Sequence, residues 1–178
     1  MTKWPKVMGG TLLAFAGCGL LLHCCTGVVT PLTMPLAMAQ SGMMAQSPIM
    51  EQNAEQVSAM MPYRWGLFAT GTYALLCSVI LMIGAFMLLA RRPGVRSFLL
   101  LWALLKAISA LGGGAFNAYA RIAAVRETGG GPVASEDMMI IATLLGAAMA
   151  TAWFLALPIF IATWFSRRSI RNEVTMWT

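Results

Sequence analysis

Few residues in this chain have side chains that can do chemistry, and most of those lie at the end of the first apolar run. His23 stands beside Cys24 and Cys25, and the segment that follows carries Met34, Met38, Met43 and Met44. Thiolate and thioether sulfurs suit a soft cation such as Cu(I). Cys24, Cys25, Met34, Met38, Met43 and Met44 are therefore the set through which the chain could hold a metal. Gly19 precedes His23 by one helical turn. That spacing lets a flat ring system such as haem or chlorophyll approach a helix while imidazole ligates its metal, so His23 is the candidate cofactor ligand. Blander readings stand beside both. A lone histidine is satisfied by one hydrogen bond, methionine is a flexible apolar filler, and spacing alone fixes no coordination geometry. On balance no cofactor is expected.

Catalysis needs titratable or nucleophilic groups that converge. The sequence holds no paired acids, no His-x-x-x-His, no glycine loop followed by lysine and no serine elbow. Gly112-Gly113-Gly114 precedes no Gly-Lys-Ser, so it is a weak point or a close-approach site in a helix rather than a nucleotide loop. No acid lies in the apolar runs, which argues against a proton pump or a cation-coupled carrier. The chain is therefore read as not an enzyme. Lys106 is the one formal charge inside an apolar run. It can snorkel toward headgroups, face the bundle and bond backbone carbonyls, or meet an anionic group of a lipid or another subunit; snorkelling or lipid contact is favoured over a functional site.

The elements that must position these residues are membrane spans. The chain is 178 residues long, 59% hydrophobic and 10% charged. A soluble domain carries about 25% charged residues, and so short a chain could not bury that much apolar surface in water. Four runs are long enough to span, at residues 7–29, 67–90, 97–118 and 138–165. The expected fold is an all-α integral membrane protein, one membrane domain with four transmembrane helices in an antiparallel bundle. The first run also has the basic, apolar pattern of a signal peptide, with Ala37-Met38-Ala39 as a small-x-small site. Its length favours a retained helix.

Between the first two runs lies a long extracytoplasmic loop, 30–62. Pro31 and Pro35 are expected to end helix one. Ile49, Val57, Met60 and Met61 oppose Glu51, Gln52, Glu55 and Gln56, which predicts a short interfacial amphipathic helix started by Ser47-Pro48. Tyr63 and Trp65 mark the interface. Arg91-Arg92-Pro93-Gly94 makes a turn too short for anything but neighbouring helices. Helix three lacks a breaker until Gly129-Gly130-Gly131-Pro132 and can project into water. Helix four opens with Ser135, Glu136 and Asp137 and contains Pro158.

Small residues recur at close-packing spacing on two runs: Ala103, Ala107, Ala110 and Gly114, and Ala142, Gly146 and Ala150, with Ala147 and Thr151 beside the second set. Such stripes let helix backbones approach, within a chain or between subunits. Of the 12 basic residues, Lys3, Lys6, Arg91, Arg92, Arg96, Arg167, Arg168 and Arg171 fall on one side of a four-span topology, and only Glu173 of the acids joins them. The basic side should be cytoplasmic, with both termini inside. The net charge of +6 is then an orientation signal with affinity for anionic lipid, not a nucleic-acid footprint. The ending Trp164-Phe165-Ser166-Arg167-Arg168 resembles those of small bacterial multi-span proteins, which points to the bacterial cytoplasmic (inner) membrane. The expected role is a non-enzymatic structural or accessory subunit, with the bilayer, a homo-oligomer or a larger membrane complex as partners. Metal or cofactor handling through the Met/Cys/His region is the alternative.

Overall fold

A computed structural model describes residues 3–36, 55, 57–129 and 135–177, and every element among them is helical. Helix α1 (Trp4–Leu22) passes into a π-helical segment (His23–Val29) and continues to Leu36. A 3-10 turn (Met61–Tyr63) leads into α2 (Arg64–Leu89). Then follow α3 (Val95–Thr128), α4 (Glu136–Ser166) and a short α5 (Arg168–Thr175). Four helices, Trp4–Leu36, Val57–Leu89, Val95–Thr128 and Glu136–Ser166, are long and apolar enough to cross a membrane, which makes the chain an integral membrane protein.

Local chemistry explains most of the boundaries. Gly94 (φ 81°) opens α3 and Gly129 (φ 67°) closes it, both in the left-handed region that suits glycine. Arg91 also takes a positive φ, 51°, so the turn before Gly94 is tight enough to strain an ordinary residue. At the start of α4 the Ser135 hydroxyl accepts from the Met138 N–H, and Glu136 and Asp137 sit in the first turn. Pro158 lies within α4 without ending it.

Pro31 and Pro35 do not end the first helix, contrary to the sequence expectation; helical structure continues to Leu36. The widened segment ahead of Pro31 accounts for this. The Thr30 N–H bonds back to the Cys25 carbonyl rather than to the nearer one, which loosens the turn that a proline ring would otherwise strike. Hydroxyls supply further bonds: Thr26 to the Leu22 carbonyl, Thr30 to that of Cys25 and Thr33 to that of Val29. The loop expected at 30–62 is thus shortened at its near end. Most of the amphipathic helix expected before Met61 lies outside the described residues; Glu55 and residues 57–60 are helical.

Glycine contacts fix how the helices meet. Along α1 and α2, Gly9 meets Leu89, Gly19 meets Ser78 and Gly27 meets Gly71. Along α2 and α3, Gly84 meets Leu99 and Gly66 meets Phe116, while the Trp102 indole donates to the Cys77 carbonyl at 2.6 Å. Along α3 and α4, Gly114 meets Thr151, and the Arg96 Nε donates to the Phe165 carbonyl at 3.2 Å. In each pair residue numbers fall along one helix as they rise along the next.

The main core gathers at one end of the molecule. It joins Leu12 and Ala16 of α1, Leu81, Ala85 and Leu88 of α2, Leu99 and Trp102 of α3, Ile161 and Phe165 of α4, and Ile170 and Val174 of α5. The sequence reading left α5 out. It is a one-sided helix whose Ile170 and Val174, one turn apart, tuck under the bundle while Arg168 and Arg171 stay exposed. Trp4 ties it down: its indole donates to the Glu173 carboxylate at 2.7 Å and its ring stacks on Trp177.

Candidate functional site

The packing that seats α1 also aims His23. A Cβ at Gly19 would stand 2.8 Å from the Ser78 hydroxyl, so the missing side chain lets α1 lie close on α2. One turn further on, at the first residue of the π-helical segment, His23 faces α3. Gly19 thus has a structural use as the seat for α2, where the sequence suggested room for a flat ring. π-Helical turns are rare and often mark functional sites.

At that level three helices contribute one side chain each. The His23 Nε2 lies 3.3 Å from the Lys106 Nζ. The same Nζ stands 5.3 Å from the centroid of the Phe154 ring, and the His23 and Phe154 centroids are 6.0 Å apart. His23 and Lys106 are half-buried, while Phe154 remains 40% exposed. Lys106 therefore does not snorkel. Its amine turns into the bundle, and it meets His23 there rather than the backbone carbonyls considered from the sequence.

The energies make that placement reasonable. A lysine at mid-span costs at least ~2.5–3.5 kcal/mol on insertion scales. A hydrogen bond involving a charged group contributes about 1.5–3 kcal/mol and a desolvated cation–π contact about 2 kcal/mol. The two contacts together match the cost. Lysine as ammonium has only donors, so imidazole must accept at Nε2 and carry its proton on Nδ1. The pair then holds a single positive charge between α1, α3 and α4. Such an arrangement can bind an anion.

The metal set fares differently. The His23 Nε2 is taken up by Lys106 at 3.3 Å, which opposes a metal at that nitrogen. Cys18, Cys24 and Cys25 are exposed and Cys77 is buried, and all four are free thiols. Met34 is buried; Met38, Met43 and Met44 lie outside the described residues. Among the described residues no three of His, Cys, Asp and Glu come close enough to hold a metal ion.

The small-residue stripes part company. On α3, Ala103 and Ala110 are buried, Ala107 is half-buried, and Gly114 touches Thr151. Of the small residues singled out on α4, Ala147 and Thr151 are half-buried, whereas Ala142, Gly146 and Ala150 are exposed. A Cβ at Gly146 would meet nothing within 4 Å. Sequence reasoning missed the pairing of His23 with Lys106, since the two are joined only through the α1–α2–α3 packing order. Two polar residues in otherwise uncharged spans were the available signal.

Comparison with known protein families, curated proteins and solved structures finds no match.

Proposed function

We propose that the chain is a non-enzymatic accessory subunit of a membrane assembly. The observation that carries this reading is the outer face of α4. Only Pro158, Ile161 and Phe165 of that helix are buried, and its first two-thirds present Ala142, Gly146 and Ala150 outward. Lipid gives little drive for helix association, and a line of small residues set beside exposed Leu145, Met149 and Trp153 is where another helix gains van der Waals contact. The His23–Lys106–Phe154 cluster fits the same reading, because it offers charge and hydrogen bonding without a nucleophile or an acid–base pair aimed at a substrate.

The fold that goes with this role is an antiparallel four-helix bundle in a bacterial inner membrane, with an interfacial amphipathic helix between the first two spans. Both termini are cytoplasmic on the positive-inside rule, with eight basic residues on the inner side of the 12 in the chain. Metal handling through the Met/Cys/His region is the weaker reading, because Lys106 occupies the histidine.

The test is purification of the tagged chain in mild detergent, with protein and metal analysis of one sample. A second membrane protein in fixed ratio to the chain is the expected result. Stoichiometric copper or haem with no second protein would replace this reading with the metal-handling one.

A further inference from the structure

Lys106 brings a positive charge to mid-depth, and among the described residues no acid meets it. The acids are Glu51, Glu55, Glu127, Glu136, Asp137 and Glu173. Glu127 is near the far end of α3, Glu136 and Asp137 open α4, and Glu173 is held by Trp4 beneath the bundle. The contacts of Lys106, an imidazole and an aromatic face, are neutral. They stabilise a cation without cancelling it.

We propose that the notch formed by His23, Lys106 and Phe154 receives an Asp or Glu carboxylate from a transmembrane helix of a different protein, seated along the Ala142, Gly146 and Ala150 face of α4. The inference rests on the accessory-subunit reading and names the chemistry of the partner. Three observations converge on it. The first is charge: an ammonium with one donor spent on His23 keeps donors for a carboxylate, and an imidazole accepting at Nε2 adds its Nδ1–H. The second is access: Phe154 is exposed beside the half-buried pair, so the cluster opens toward lipid. The third is a seat: Ala150 lies one turn from Phe154 and, with Gly146 and Ala142, makes an exposed line of small residues beside the exposed Leu145, Met149 and Trp153, a groove along which another helix can lie.

The same facts exclude simpler sources of the anion. Among its described residues, a second copy of this chain has no acid at the matching depth. A phospholipid headgroup is too shallow. From Val95 to Lys106 at ~1.5 Å per residue the helix rises about 16 Å, roughly half of a hydrocarbon core about 30 Å thick.

The experiment uses the full tagged chain in its own membranes and measures second protein per chain after mild extraction. Lys106→Leu is expected to lose the partner at least tenfold while accumulating normally, and Lys106→Arg is expected to keep most of it. If Lys106→Leu does not accumulate, Gly146→Ile obstructs the seat without touching the charge and must give the same loss. The released protein must carry a mid-span Asp or Glu whose Asn or Gln substitution releases it too. A partner that stays on both Lys106→Leu and Gly146→Ile, a partner without an intramembrane acid, or a photo-crosslinker at Ala150 that captures only lipid would each overturn the inference and leave the accessory reading standing. A wild-type chain that carries no second protein overturns both.

Discussion

Adding one methyl group at Gly71 should split the α1–α2 contact. Gly71 of α2 and Gly27 of the π-helical segment meet backbone to backbone. A Cβ at Gly27 would lie 2.7 Å from the Gly71 Cα, and a Cβ at Gly71 would run into the Gly27 carbonyl. Neither obstacle is a side chain that can swing away, so the helices must separate. Overpacking of this kind costs about 1–3 kcal/mol, and the rigid partner puts Gly71→Ala near the upper end. Alanine recovers about 1 kcal/mol of helix propensity, leaving a net loss of about 2 kcal/mol. For a chain of this size that is a fall of about 4–8 °C in the unfolding midpoint. Tryptophan fluorescence during thermal unfolding in detergent reads it. Gly146→Ala is the control, since nothing lies within 4 Å of its Cβ. That variant should match wild type or gain up to about 1 kcal/mol. If Gly71→Ala and Gly146→Ala unfold within about 0.5 kcal/mol of each other, the close approach of α1 and α2 is wrong, and with it the seating of His23.

Trp102 is 2% exposed and donates to the Cys77 carbonyl, so Trp102→Phe should cost about 1–2 kcal/mol and Trp102→Ala about 3–5 kcal/mol in the same unfolding assay. Equal losses would mean that the indole nitrogen and ring fill no specific site. In the purified chain, His23→Leu strips Lys106 of its acceptor and should destabilise by about 1.5–3 kcal/mol, while His23→Leu/Lys106→Leu should return to wild-type stability or better. A double-mutant cycle additive within about 0.5 kcal/mol would deny the pairing. Reporter fusions after Gly94 and Thr178 should read cytoplasmic, and those after Gln46 and Gly130 should read external. Any reversal breaks the four-span topology.

The spans were legible because lipid imposes a simple demand: some 20 apolar residues whose backbone bonds close within the segment. The capping of α4 by Ser135 and the glycine ends of α3 were legible for the same local reason. Pro31 misled, because its usual effect is to end a helix and the compensating widening at His23–Val29 has no one-residue signature. α5 escaped notice because its apolar contacts, Ile170 and Val174, are too few to register as a period. They bury themselves on a core assembled from distant segments. Lys106 stood out by type alone. Its partner did not, since choosing His23 over headgroups depends on Gly19 seating α1 against Ser78.

We propose that this chain works beside another membrane protein. The most direct measurement is the native mass of the particle released from its own membrane with surrounding lipid retained. A particle containing the 19.1 kDa chain and a different protein in fixed ratio is expected. A particle holding the chain alone, or only whole-number multiples of it, would contradict the claim.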